Sequence, residues 1–151
     1  MFHNCSFFAC VSDQMKRECL GYGHVWSTRT CRTISADHAM ELWRQNNPYM
    51  VDAFDRYTQI GQEDEVTGQI EEFDMWRAYS KMRDTNKWAD SPFIEALANR
   101  LQCDFIIITK RGLTHIKASL TEEENKVRPF MYIGFDPDSK HYQTYEPLPG
   151  N

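Results

Sequence analysis

The chain has no C-x-x-C pair and no H-x-x-x-H, so the common zinc-ligand spacings are missing. Its five cysteines (Cys5, Cys10, Cys19, Cys31, Cys103) are odd in number and irregular in spacing, which argues for thiols rather than a disulfide framework. No apolar run approaches the ~20 residues that a membrane helix needs, so no membrane partner is expected. No charged-then-apolar leader opens the chain, which leaves the cytoplasm as the default location. Basic residues are scattered and the net charge is -5, whereas a duplex-binding protein normally presents a basic face; no nucleic-acid partner is expected. Repeats, low-complexity tracts and linkers are also missing.

What is present is ordinary for a globular chain. At 151 residues it is long enough for one domain, residues 1–151, to bury a core without covalent staples. Hydrophobic residues at 41% and charged residues at 26% fall in the usual range. Aromatics at 13% suit either a packed interior or a peptide-gripping groove, and composition does not choose between them.

Helical spacing dominates the first two-thirds of the chain. Asn4 is placed to cap a helix reaching about Cys19, with Phe8, Val11 and Met15 on one stripe. Gly21, Gly23 and the polar stretch through Thr33 read as a loop. Ser35 then caps a second helix through Asn46 that buries Ala39, Leu42 and Trp43. Asn47-Pro48 opens a third, with Met50, Phe54 and Tyr57 in phase. Gly61 to Gly68 reads as an acidic loop. Ile70, Phe73, Trp76 or Arg77, and Tyr79 through Met82 predict a fourth helix, and Ser91-Pro92 a fifth with Ile94, Leu97, Ala98 and Leu101 on one face.

The period then changes. Phe105 to Ile108 is a β-branched run suited to a strand buried on both sides, and Leu113 to Ala118 predicts a second strand. Pro129 to Phe135 and His141 to Tyr145 read as two strands joined by the turn Asp136-Pro137-Asp138-Ser139. Helices first and strands later predict an α+β fold, a small sheet with helices packed against it.

Two residues at opposite ends of the chain carry candidate chemistry. Cys5 opens a helix-like run, and a helix start lowers a thiol pKa through its positive dipole end. His141 begins a strand-like segment that can hold an imidazole rigidly for proton abstraction. Such pairs lie far apart in sequence in many cysteine hydrolases and meet only through the fold.

Three blocks in order resemble the OTU (ovarian tumour) cysteine proteases. The first is Asn4-Cys5-Ser6-Phe7-Phe8-Ala9 with Val11-Ser12-Asp13-Gln14-Met15, similar to the nucleophile helix. The second runs from Tyr79 and Met82 through Trp88-Ala89-Asp90 to Ile94-Glu95-Ala96-Leu97-Ala98, Leu101 and the strand Phe105 to Ile108. The third is Tyr132-Ile133-Gly134-Phe135 with His141-Tyr142, similar to the closing hairpin that supplies the histidine. The resemblance implies an OTU-like fold and a deubiquitinase cleaving isopeptide or peptide bonds at the C-terminus of ubiquitin or a ubiquitin-like protein. It implies Cys5 as nucleophile, His141 as base and no metal or organic cofactor. Gln143, two residues past His141 on the same strand face, is the nearest candidate for orienting the imidazole.

The chain departs from that pattern in two ways. Phe2 and His3 stand where many members carry Asp-Gly, and the domain is expected to be short at its N-terminus. Counting back from Val11 to Met15 places Ser6 rather than Cys5 at the nucleophile position; the Cys5 register instead leaves Gln14 where an apolar residue is wanted. Cys5 is preferred because a thiol is far more nucleophilic near neutral pH than an unactivated hydroxyl. The rival reading is a catalytically inactive OTU-like module that binds ubiquitin or another protein. The plain readings are structural: His3, His24, His38 and His115 in packing or at the surface, Cys10, Cys19 and Cys103 in the core, Trp88 as scaffold, and Glu122 to Glu124 as a solvated face.

Overall fold

In the computed structural model the described residues are 7–17, 27–58, 62–63, 70–71, 74–84, 89–119, 128–139 and 141–144. Among them lie helices α1 (Phe7–Arg17), α2 (Thr28–Arg44) and α3 (Pro48–Thr58), a small antiparallel pair β1 (Gln62–Glu63) and β2 (Ile70–Glu71), and helices α4 (Met75–Asp84) and α5 (Ser91–Leu101). Strands β3 (Asp104–Thr109), β4 (Gly112–Ile116), β5 (Phe130–Asp136) and β6 (His141–Thr144) follow. These four form one sheet in the order β4-β3-β5-β6, with β3 and β5 parallel and both outer pairings antiparallel. The α+β expectation holds.

The strand register sorts side chains onto two faces. Phe105, Met131 and Ile133 are fully buried on the inner face, against Phe7, Phe8 and Val11 of α1 and Phe93, Leu97 and Leu101 of α5. The outer face carries Phe130 and Tyr132, about half exposed. β3 is therefore not buried on both sides as its apolar run suggests: beyond Asp104 and Phe105 its residues are only half-buried.

Local signals account for α3, α5 and the β5–β6 turn. Asn47 Oδ1 accepts the backbone N–H groups of Tyr49 and Met50, both at 3.1 Å, where the first turn has no internal acceptor. Pro92 occupies the first turn of α5, and Gln102 ends that helix in the left-handed region at φ 53°.

The start of α2 differs from expectation. It begins at Thr28, with Ser27 Oγ accepting the Thr30 N–H at 3.1 Å, so Thr28 to Thr33 are helix rather than loop. Ser35 caps nothing: it is fully buried within the helix and donates to the Phe93 carbonyl at 2.6 Å. Arg32 is buried too, donating to the Met82 carbonyl at 3.0 Å while its guanidinium lies 4.7 Å over the Phe8 ring. Polar side chains thus face the interior and are satisfied by α4 and α5, partners that no local pattern reveals. Ile70 lies in β2, so α4 is shorter than its apolar spacing implies, opening at Met75 behind Asp74, whose Oδ1 accepts the Trp76 N–H at 3.0 Å. Among the described residues no helix is long and apolar enough to cross a membrane.

Candidate active site

The β5–β6 hairpin is held by its own turn. Asp136 accepts the Asp138 backbone N–H at 3.0 Å and the Ser139 hydroxyl at 2.9 Å. These donors, the Asp138 amide foremost, hold the Asp136 carboxyl below its ordinary range. Lys110, from the β3–β4 turn, pairs with Asp138. With the turn set, β6 leaves with His141 opposite Asp136, Tyr142 opposite Phe135 and Gln143 opposite Gly134.

Strand alternation divides these three residues between the faces. Tyr142 faces inward, its ring 4.7 Å from Phe135 and 5.5 Å from Phe7. His141 and Gln143 share the outer face, the imidazole half-buried and the amide exposed. Asp136 is the carboxylate directly across from His141, and its oxygens already accept the turn's donors.

The opening turn of α1 lies against this hairpin. Phe7 is fully buried, edge-on to Phe8 at 5.8 Å, to Phe105 at 5.2 Å and to Tyr142 at 5.5 Å. Two turns on, Gln14 is 2% exposed and its Nε2 donates to the Tyr132 carbonyl at 2.6 Å. A polar residue on the buried side of α1 is therefore an anchor to β5, alongside the buried Phe8, Val11 and Met15. The two contacts fix both the axial position and the rotation of α1 on the sheet. The positive end of its dipole lies beside the strand that carries His141.

A second acid lies on the inner side. Asp90, preceding α5, accepts the Tyr57 hydroxyl at 2.9 Å, and burial, then this carboxylate, pushes the Tyr57 phenol well above its ordinary value. The Tyr142 phenol is pushed up to about 12, by burial first and then by the nearby Cys10 and Asp90. Tyr142 is thus held neutral, with its ring packed on Phe7 and Phe135.

Of the residues singled out in the sequence, His141 and Gln143 are brought to one face of one strand. Cys5, Ser6, Asn4, Phe2, His3, Cys19, His24, Trp88 and Glu122 to Glu124 lie outside the described residues. His38 and His115 serve as structural partners: His38 Nε2 lies 2.8 Å from Asn99 Oδ1, and His115 Nε2 lies 2.8 Å from Asp104 Oδ2. Cys10 and Cys103 are buried core thiols, as is Cys31. The Gln14 anchor to β5 and the Tyr57–Asp90 bond were not legible in the sequence as contacts, because both partners lie far apart in the chain.

No family model matches the chain, and no curated protein matches it in sequence. Among solved structures, that of the OTU domain of OTUD1 is similar, with a TM-score of 0.53 and 16% identity. The match covers 96% of this chain and 84% of that one. At this identity the likeness is one of fold: helices packed on a small mixed sheet in an OTU-like arrangement.

Proposed function

We propose, starting from an OTU-like fold whose first helix abuts the strand of His141, that the chain is a single-domain cysteine hydrolase acting at the C-terminus of ubiquitin or a close relative. The observation that carries this reading is the packing of Phe7 on Tyr142. Cys5 precedes Phe7 by two residues, a span of at most about 7 Å, and Tyr142 directly follows His141. The thiol is thereby tethered to the end of α1 that meets the imidazole's strand. Because β6 is the edge strand of the sheet and His141 its first residue, a Cys5–His141 pair needs only that the segment before Phe7 pass round that edge to the outer face.

In this mechanism His141 takes the proton from the Cys5 Sγ, and the thiolate attacks the carbonyl carbon of the scissile bond. Backbone N–H groups at the opening of α1 stabilise the oxyanion that develops. The imidazolium returns its proton to the leaving amine, and water, activated by the same imidazole, releases the acyl group from sulfur. Gln143 shares a face with His141 and orients the ring as a neutral acceptor; it supplies no negative charge, so a modest rate is expected.

The test is a ubiquitin probe carrying a C-terminal electrophile. An adduct abolished by Cys5→Ala and retained by Ser6→Ala supports the proposal. Binding without adduct formation points instead to the inactive, ubiquitin-binding module.

A further inference from the structure

β4 is the sheet edge farthest from β6, three strand spacings or about 14 Å across from the strand of His141. The two-residue turn Lys110-Arg111 closes on Thr109 opposite Gly112 and sets which way the β4 backbone points. From that closing pair, bonded pairs alternate with open ones. Thr114 and Ile116 therefore bond to β3, while the N–H and C=O groups of Leu113 and His115 point away from it. Among the described residues no strand pairs with β4 on that side.

Beside this edge lies a groove of about 590 Å³ between β4 and α3, with Tyr49, Met50, Ala53 and Arg56 on the helix side and Thr114 and Ile116 on the strand side. A strand edge facing a helix across a groove is the geometry in which an extended peptide adds as a further strand, held by ladder bonds with alternate side chains in the groove. Thr114 and Ile116 lie opposite Ile107 and Phe105, on the inner face, so every second residue of an added strand would face α3. Leu113, 70% exposed, would meet the residues between.

Charge narrows the occupant. Residues 105–121 hold no Asp or Glu although the chain's net charge is -5, and Arg111 and Lys117 flank β4. Lys110 pairs with Asp138, whereas neither Arg111 nor Lys117 forms an ion pair among the described residues. A second copy of the chain is the wrong partner. Two β4 strands paired antiparallel, with Leu113 bonded to His115 of the other copy, bring Arg111 opposite Lys117 at both ends, and like charges directly opposite repel.

We propose that the β4 edge is a docking site for an extended segment of a partner protein, added antiparallel as a fifth strand, with acidic residues opposite Arg111 and Lys117 and β-branched residues over Thr114 and Ile116. The six steps from Arg111 to Lys117 span about 20 Å, so the two acids lie six positions apart. This site is separate from the hydrolase reading and does not depend on it.

The test uses the full chain and two fluorescein-labelled seven-residue peptides of valine and threonine, one ending in aspartate at both ends and one in lysine. Anisotropy should show the aspartate peptide bound about tenfold more tightly at low salt, a difference of ~1.4 kcal/mol that shrinks at high salt. Its binding should move the Leu113 and His115 amides and slow their hydrogen exchange, with the Gln143 amide on the far edge unmoved. Leu113→Pro removes an outward donor without breaking a bond to β3 and should abolish binding. If that variant does not fold, Arg111→Glu with Lys117→Glu should reverse the preference to the lysine peptide. No binding, equal binding of the two peptides, binding retained in folded Leu113→Pro, or a preference that survives the charge reversal would overturn the docking site. So would Leu113 and His115 amides already protected from exchange in the free chain, whether by a second copy, seen as a concentration-dependent mass in sedimentation, or by the chain's own residues.

Discussion

The contact between Phe7 and Tyr142 can be measured directly by a double-mutant cycle. Phe7→Leu keeps most of the buried volume and removes the ring, while Tyr142→Leu removes the partner. A volume-conserving core swap costs under about 1.5 kcal/mol, and each edge-to-face aromatic pair adds about 0.5–1.5 kcal/mol. Phe7 meets three rings, so Phe7→Leu alone should cost roughly 1.5–6 kcal/mol on these scales. Set against a domain stability of about 5–15 kcal/mol, that is a large but measurable fraction. The coupling between the two positions should be about 0.5–1.5 kcal/mol, read from urea melts followed by tryptophan fluorescence. The cycle Phe54→Leu with Phe93→Leu, a pair 5.5 Å apart and edge-on in the α3–α5 core, serves as a control of the same chemistry. Both cycles should show coupling, but only Phe7→Leu should slow the probe reaction beyond what its loss of stability explains. A Phe7–Tyr142 coupling within about 0.3 kcal/mol of zero would mean that the opening of α1 does not rest on β6, and the argument for a shared centre would fail.

Three further outcomes are expected. Gln143→Asp should raise kcat by about tenfold or more, because a carboxylate orients the imidazole and also stabilises the imidazolium; an unchanged rate would remove Gln143 from the site. Arg32→Ala should destabilise the fold by about 2–4 kcal/mol by removing a charged donor from the Met82 carbonyl and a cation from the Phe8 ring, and calorimetry would refute this with an unchanged melting temperature. A phenol raised from 10 to about 12 corresponds to roughly 2–3 kcal/mol favouring the folded state with Tyr142 neutral. That stability is complete below pH about 10 and is lost as pH rises through about 12, so absorbance titration should show one late phenolate tied to alkaline unfolding and missing in Tyr142→Phe.

Much of the architecture was written in local chemistry. Asn47-Pro48 and Ser91-Pro92 open their helices because a side-chain acceptor or a fixed φ satisfies the first turn without help from elsewhere. Asp136-Pro137-Asp138-Ser139 closes its hairpin through bonds within four residues. The α2 start was hidden because its first two turns bury Arg32 and Ser35, whose partners Met82 and Phe93 lie on other helices. Gln14 looked misplaced for the same reason: its acceptor belongs to β5.

Residue order alone determined the helices whose caps are local, the four strands of the sheet, and the pairing of His141 and Gln143 on one strand face, since alternation is a property of any extended chain. Only the tertiary structure decided that β3 runs beside β5, that α1 lies with Phe7 on Tyr142, and that Gln14 of α1 is anchored to the Tyr132 carbonyl. Those outcomes depend on surfaces distant in sequence meeting with matched shape and satisfied polar groups. Close packing selects such a match, and no local window of residues contains it.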